Sequence, residues 1–331
     1  MTYLAASQPR FILHIGANKT GTSSIQRMLL ENRQVLHDAG WEYPDFHLLH
    51  MAHHRLAYSI GGRRDLALAG DWESEFRNLI SDRDKRFVFS SELFFRVVPP
   101  EKVAHFFPPE ETRIVLYLRD HLSYMTSWYA QAVQERNLIA DFSDYVKVFN
   151  TPLTSYLSRW EEVYGHDRIV LRPFVRSMLE GQDSRIDFLQ FVDGVAPSAA
   201  TLAAAESNLS ISGNLLFFKR LLNNYMTIEE AESYPITDEF GALSEVKETF
   251  NGRFKASRDE VGTVRRVFHA DIAALAQRGL EFPPMPEEVT GHACPNFDTL
   301  HEDVRLIKEI AMNTGKHFLR YATRWQDWQS L

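Results

Sequence analysis

The chain has 331 residues, which allows two domains of roughly 150 residues or one large α/β domain, and 44% of its residues are hydrophobic and 24% charged. This composition excludes disordered, collagen-like and coiled-coil classes. The 36 Lys and Arg residues against 44 Asp and Glu residues give a net charge of −8. Such a charge disfavours general binding to nucleic acid or to an anionic membrane, so any anion site must be local.

The chain contains a single cysteine, Cys294, which excludes an internal disulfide and any zinc or redox site that needs several cysteines. The N-terminal stretch MTYLAASQPRF lacks a charged start followed by a long apolar run. No segment approaches the roughly 18 apolar residues of a membrane span. We therefore expect a cytoplasmic protein without a membrane span, and the sequence leaves its oligomeric state open.

Short apolar runs alternate with segments of helical periodicity through the first 198 residues or so. The predicted strands are RFILHIG (10–16), RFVFSSE (86–92), TRIVLYLR (112–119) and DRIVLRPF (167–174). The predicted helices are a segment from residue 22 to Gly40, Pro100 to Phe106, Ser123 to Gln134, Leu153 to Tyr164 and residues 184–192. This alternation predicts a central parallel sheet with crossover helices. A loop is predicted at 200–214, and the chain after it is almost entirely helical in pattern.

The first junction between a strand and a helix is a candidate anion site. It consists of Gly16, Ala17, Asn18, Lys19, Thr20, Gly21, Thr22, Ser23 and Ser24. Free backbone N–H groups and the positive end of a helix dipole attract anions at such a junction, and the hydroxyl residues add donors. A nucleotide triphosphatase loop has lysine directly after its second glycine, where this chain has Thr22. The alternative interpretation is an ordinary capped helix start.

Arg119, at the end of the predicted strand 112–119, is a second candidate phosphate ligand. Its guanidinium offers a planar fork of donors for a phosphate dianion, and Ser127, eight positions later on the next helix, can add a hydroxyl. Taken alone, Arg119 also fits a surface salt bridge.

The stretch HIGANKTGTSSIQ resembles the 5′-phosphosulfate loop of the sulfotransferase family, bacterial members in particular, and the spacing of Arg119, Ser127 and Tyr129 is similar to the second family motif. The resemblance covers roughly residues 11 to 191. It implies the co-substrate 3′-phosphoadenosine 5′-phosphosulfate (PAPS), held by the residues of the loop from Asn18 to Ser24 and by Arg119 and Ser127. With the element pattern, it predicts an α/β, P-loop-like three-layer fold with a central parallel sheet of about four or five strands and a helical C-terminal part.

The expected division is a PAPS-binding core over residues 1–198 and a mainly helical part over 199–331 that covers the active site, both within one integrated domain. The resemblance places the catalytic base at the end of the strand before the arginine strand, where this chain has Glu92. Apolar neighbours there would desolvate a carboxylate, which suits a base. The alternative role of Glu92 is structural, as a capping or ion-paired carboxylate.

Histidines are the competing candidates for the base, because HLLHMAHHRLAYSI contains His47, His50, His53 and His54. Their spacing also suggests a metal site. No second group of ligands lies at the spacing typical of a zinc enzyme, so no metal is expected. His53 and His54 are kept as alternative bases or acceptor-binding residues. His14, within the first strand, is expected to be a core residue.

The predicted function is transfer of a sulfuryl group from PAPS to a hydroxyl or amine of a small-molecule or glycan acceptor, with Lys19 stabilising the leaving phosphate oxygen. No nucleic-acid partner is expected. Two alternatives remain open at this stage: an ATP-dependent P-loop kinase or phosphotransferase, and a non-catalytic nucleotide-binding relative.

Overall fold

The structure, a computed structural model, describes residues 8–63, 68–202, 210–231 and 234–323. Residues 1–7, and residues 203–209 of the loop predicted at 200–214, lie outside this described part. The described chain forms two compact units. The first comprises residues 8–63, 68–120, 151–202 and 273–282, and the second comprises residues 121–150, 210–231, 234–272 and 283–323. The division predicted between residues 198 and 199 stays a prediction.

The first unit contains a sheet of five strands, all parallel, in the order β2-β3-β1-β4-β5. The strands are β1 (Phe11–His14), β2 (Trp41–Glu42), β3 (Arg86–Ser90), β4 (Thr112–Leu118) and β5 (Ile169–Pro173). This confirms the predicted α/β class and central parallel sheet. The four strands predicted from apolar runs are present, and β2 was not predicted because two residues show no periodicity.

Successive residues of the central strand β1 point to opposite faces of the sheet, and both faces are buried. Ile12 belongs to a core cluster that includes Ile25 and Phe188, whereas the ring of Phe11 meets that of Phe107 edge-on at 5.4 Å. Burial of both faces is typical of parallel sheets and explains why the strands read as continuous apolar runs rather than as an alternating pattern.

Helices cover the sheet on both faces, which gives three layers. The helices up to residue 199 are α1 (Thr22–Glu31), α2 (Arg33–Asp38), α3 (His54–Gly61), α4 (Trp72–Leu79), α5 (Leu93–Val97), α6 (Pro100–Ala104), α7 (His121–Glu135), α8 (Phe142–Val148), α9 (Leu153–Tyr164) and α10 (Ser184–Leu189). Of these, α7 and α8 lie in the second unit. Ile25 of α1 and Phe188 of α10 lie in the core cluster on one face. Phe76 of α4 contacts Phe89 of β3 at 5.5 Å between ring centroids on the other.

The helix predicted to run from the phosphate loop to Gly40 is interrupted at Asn32, which separates α1 from α2. The Asn32 amide donates to Met28 O at 2.7 Å and to Thr201 O at 2.9 Å, and its Oδ1 accepts from the Thr201 N–H at 2.6 Å. An Asn side chain that bonds to the backbone competes with continued helix, and here the partner is 169 positions away.

The described residues after position 210 are mainly helical, in agreement with the predicted helical C-terminal part. The helices are α11 (Gly213–Leu222), α12 (Ile228–Ala231), α13 (Tyr234–Ser244), α14 (Arg258–Val267), α15 (His269–Gln277), α16 (Leu300–Thr314) and α17 (Leu319–Ala322). None of the helices in the described ranges combines the length and the apolar character needed to cross a bilayer.

Candidate active site

Three loops meet at the carboxyl edge of the sheet because β1 lies between β3 and β4. The loop after β1 is the predicted phosphate loop, Glu92 follows β3, and Arg119 follows β4. The chain passes from β1 to one side of the sheet and returns to the other for β4 and β5. Ligands of α/β proteins bind at such a reversal of strand order.

The backbone of the phosphate loop turns sharply at three positions with positive φ: Gly16 at +35°, Lys19 at +68° and Gly21 at +72°. A non-glycine residue in this region is uncommon and is held by its surroundings. Two such anchors are the Ala17 N–H, which donates to Tyr117 O of β4 at 3.3 Å, and the Thr20 hydroxyl, which donates back to Ala17 O at 2.5 Å. The loop is thus fixed to β4.

The side chains predicted to bind the nucleotide differ in exposure. Asn18, Lys19 and Ser24 are half-buried, Ser23 is exposed, and Thr20 and Thr22 are buried. Because the Thr20 hydroxyl is directed to a backbone carbonyl within the loop, its visible role is to shape the loop. A Cβ on Gly16 would lie 2.5 Å from Thr22 Cγ2, which explains the glycine at that position. Nucleotide binding by these residues stays a prediction.

His14 lies directly beneath the loop and is fully buried, as expected from the sequence. Its Nδ1 lies 2.8 Å from Ser90 Oγ, and Nε2 has no hydrogen-bond partner among the described residues. Burial lowers the pKa of His14 to about 3, so the ring is neutral at physiological pH. The neutral ring adds no positive charge under the loop.

Arg119 lies against the phosphate loop. Its Nη1 donates to the main-chain oxygen of Lys19 at 3.3 Å, and its guanidinium carbon lies 5.9 Å from the centroid of the Phe174 ring, which follows β5. Phe174 also restricts position 21 of the loop to glycine, because a Cβ on Gly21 would lie 2.9 Å from Phe174 Cε2. Ser127 is half-buried on α7 in the second unit, and its part in nucleotide binding stays a prediction.

The Glu92 carboxylate is held from two sides. Gln26 Nε2 donates to Oε2 at 3.0 Å, and His54 Nε2 lies 3.7 Å from Oε1. The side chains of Glu92 and His54 are 17% and 19% exposed, so both are mostly buried. Residues from α1, α3 and the end of β3 therefore converge on one carboxylate.

His54 is oriented by Ser91, since its Nδ1 lies 2.8 Å from Ser91 Oγ. Burial lowers the pKa of His54, and the neighbouring carboxylate of Glu92 acts in the opposite direction. The sequence placed His54 near the edge of the sheet, and the structure brings it beside Glu92. A neutral imidazole next to a carboxylate is chemically suited to proton transfer.

His53 is fully buried and both of its ring nitrogens are engaged, unlike those of an available base. Nε2 lies 3.0 Å from Pro44 O, and Nδ1 accepts from the Ser90 N–H at 3.2 Å. Burial lowers its pKa to about 3. These contacts give His53 a structural role, and they occupy both nitrogens that a base would need.

The remaining histidines of the segment lie on the surface: His47 and His50 are exposed, and His47 Nε2 lies 3.3 Å from Glu75 Oε2. Among the described residues, no three side chains of His, Cys, Asp or Glu come together in a way that could hold a metal ion.

Sequence reasoning did not single out Gln26, Ser91 or Phe174, each of which contacts a predicted site residue. A signal for Gln26 was present, because it lies four positions after Thr22 on the buried face of α1, between Ile25 and Leu29. A polar side chain on such a face needs a buried partner.

No protein-family model matches the chain, and no curated protein matches it. Among solved structures, the chain is similar to a sulfotransferase from Alicyclobacillus acidocaldarius, with 14% sequence identity and a TM-score of 0.39. The alignment covers 82% of this chain and 99% of that protein. The identity is too low for this likeness to assign a function.

Proposed function

We propose that the protein transfers a sulfuryl group from PAPS to a hydroxyl or amine of an acceptor, and that the acceptor is of carbohydrate type. Support comes from the sequence resemblance together with the placement of Lys19, Glu92 and Arg119 after three adjacent strands of the sheet. The acceptor class follows only from glutamate at the base position, which the resemblance associates with enzymes that act on carbohydrates.

The observation that carries the proposal is the contact between Arg119 and the phosphate loop. A glycine-bearing loop alone fits many nucleotides, because it needs only a 5′-phosphate. We propose the Arg119 guanidinium beside that loop as the ligand of a second phosphate, because its planar fork of donors suits a phosphate dianion. PAPS carries a phosphate at the 3′ position and a phosphosulfate at the 5′ position, and so fits two sites of this kind.

In the proposed reaction, a bond forms between the acceptor oxygen or nitrogen and sulfur while the bond from sulfur to the bridging 5′-phosphate oxygen breaks. Glu92 receives the acceptor proton, and the electron pair of the broken bond stays on the phosphate oxygen. Lys19 stabilises the charge that develops on that oxygen, because its ammonium is a compact point charge. Backbone N–H groups of the loop hold the rest of the phosphate.

A thermal-shift comparison of adenosine 3′,5′-bisphosphate (PAP), ADP and ATP with Mg²⁺ tests the nucleotide. A ligand at about 100 times its Kd stabilises the folded state by about 2.7 kcal/mol. We expect the Tm with PAP to be well above the Tm with ADP or with ATP and Mg²⁺. Preference for ATP with Mg²⁺ would instead support a phosphotransferase.

Transfer from [³⁵S]PAPS to a panel of glycans, simple alcohols and phenols tests the chemistry. We expect Glu92→Gln to lose transfer while it keeps the affinity for PAP. Near-normal transfer by this variant would assign the base to another residue, with His54 as the nearest candidate. Binding of PAP without transfer to any acceptor would favour a non-catalytic binding protein.

A further inference from the structure

We propose that Gln26 is a positioning residue for the base, which fixes the Glu92 carboxylate to the helix that begins at the phosphate loop; this inference rests on the proposed function. Gln26 lies on α1, one turn after Thr22, and its side chain is only 3% exposed. The hydrogen bond from its Nε2 to Glu92 Oε2 spans 66 positions of sequence and measures 3.0 Å.

The location of Gln26 is unusual in its energetics. Its neighbours on the same helix face, Ile25 and Leu29, are fully buried in the core cluster. A buried amide without a partner costs about 1–3 kcal/mol, so a simple packing position would favour an apolar residue. The bond to Glu92 satisfies the amide, and it satisfies a carboxylate that is itself mostly buried.

Gln26 and His54 lie beside different oxygens of the Glu92 carboxylate. His54, oriented by Ser91, lies beside Oε1, while Gln26 holds Oε2. Without the amide, the carboxylate would be able to rotate about its terminal bond, which is a soft torsion. The two contacts together restrict it to one orientation.

The bond from Gln26 to Glu92 also affects the distance between the proposed base and the sulfuryl donor PAPS. Because the first turn of α1 is part of the phosphate loop, an amide on the next turn sets the carboxylate relative to that loop. A misplacement of about 1 Å in an aligned site costs about 100-fold in rate. We therefore expect Gln26→Leu to lower kcat about 10- to 100-fold, with the Kd for PAP changed by less than about threefold.

An exchange of the two partners separates positioning from folding. Gln26→Glu places a second carboxylate against Glu92, Glu92→Gln removes the base, and the double variant restores an amide–carboxylate pair with the roles reversed. Gln34→Glu is the matched control, because the Gln34 amide also donates to a carboxylate, Asp38 Oδ1 at 2.8 Å, but on the surface. For each variant, Tm, PAP affinity and transfer from [³⁵S]PAPS are measured between pH 5 and pH 8.

We expect Gln26→Glu to lower the Tm at pH 7.5 by about 3–8 °C, because two mostly buried carboxylates repel each other. At pH 5 the loss should shrink, and transfer should partly recover, as one carboxyl takes up a proton and can donate again. The double variant should regain a Tm close to that of the wild type but no transfer. Gln34→Glu should behave as the wild type in all three measurements.

The inference is overturned if the double variant stays as unstable as Gln26→Glu, or if Gln26→Leu keeps full kcat. A parallel loss of PAP affinity and kcat in Gln26→Leu would also overturn it, since that pattern indicates general damage to the loop. Failure of the proposed function looks different. In that case the wild type would bind no PAP, or would transfer no sulfuryl group, even though the exchange of partners still restored the Tm.

Discussion

The guanidinium of Arg119 donates a hydrogen bond to the main-chain oxygen of Lys19 at 3.3 Å, across 100 positions of sequence. The two residues follow the adjacent strands β4 and β1, so the parallel pairing of these strands brings them together. Lys19 holds a positive φ at this point, and the bond helps to fix its carbonyl. One arginine therefore supports the phosphate loop and also presents a cation beside it.

Replacement of Arg119 by alanine should show whether Arg119 binds the 3′-phosphate of the nucleotide. We expect the affinity for PAP to fall about 10- to 100-fold, because a charge-assisted hydrogen bond contributes about 1.5–3 kcal/mol. The affinity for AMP, which lacks the 3′-phosphate, should change much less. Isothermal titration calorimetry with both nucleotides measures this difference. Equal losses for AMP and PAP would mean that Arg119 acts only by shaping the loop.

Replacement of Lys19 by alanine should affect turnover more than binding. Removal of a group that stabilises developing charge typically costs about 10²–10³-fold in kcat. We expect a loss of at least this size in transfer from [³⁵S]PAPS, with the Kd for PAP raised less than about tenfold. Lys102→Ala, which changes an exposed lysine, is the control and should leave transfer unchanged. Undiminished transfer by Lys19→Ala would remove the proposed role.

Replacement of Gly21 by alanine should damage the loop through a specific clash. Gly21 has a φ of +72°, and the new Cβ would lie 2.9 Å from Phe174 Cε2 and 3.1 Å from Ser184 Oγ. Gly315→Ala is a matched control, because Gly315 has a φ of +61° and no described atom lies within 4 Å of its Cβ position.

Both alanine variants carry the backbone cost of about 1–2 kcal/mol for a left-handed residue. The Tm should therefore fall in both variants, but it should fall further in Gly21→Ala. The affinity of Gly21→Ala for PAP should also fall at least tenfold. A similar Tm in the two variants, with intact PAP binding, would contradict the clash.

Lys219 in the second unit should make stability depend on pH on the alkaline side. It is fully buried, with Nζ bonded to Asn223 Oδ1 at 2.6 Å and to Val133 O at 3.3 Å, and burial lowers its pKa to about 7. The unfolded chain keeps the ordinary lysine pKa near 10.4. Between these two values the unfolded state binds more protons, so the free energy of unfolding should rise with pH by up to about 1.4 kcal/mol per unit.

Urea denaturation of the wild type and of Lys219→Met, from pH 7 to pH 10, measures this contribution. The difference between the two proteins isolates Lys219 from all other titrating groups. We expect the free energy of unfolding of Lys219→Met to rise less between pH 7 and pH 10 than that of the wild type. The stability of the variant relative to the wild type should therefore be greatest near pH 7. Parallel curves for the two proteins would show that Lys219 does not titrate in this range.

The sequence was sufficient for features set by local pattern. The four longer strands and the helix Leu153–Tyr164 were predicted because an apolar run or a helical periodicity is formed by residues close together in the sequence. The junction between β1 and α1 was recognisable for the same reason, whereas its binding of a phosphate stays a prediction. The contacts that now define the candidate site are long-range, and they include the bonds from Gln26 to Glu92 and from Arg119 to Lys19.

Two further features could not be read from local pattern. The break at Asn32 depends on Thr201, and the full engagement of His53 depends on Pro44 O and on the Ser90 N–H. Adjacent histidines look equivalent in a sequence. Their different roles arise because His53 faces the core while its neighbour His54 faces the carboxylate of Glu92.

The shortness of β2 has a consequence for how the protein behaves at high concentration. β2, the outermost strand at one edge of the sheet, has two residues, Trp41 and Glu42. The guanidinium carbon of Arg86 lies 4.4 Å from the centroid of the Trp41 ring. The outermost strand on the opposite side ends in Pro173, which has no N–H to donate. Short outer strands and prolines hinder the addition of a strand from another molecule. The architecture thus discourages intermolecular sheet extension, a common route to aggregation.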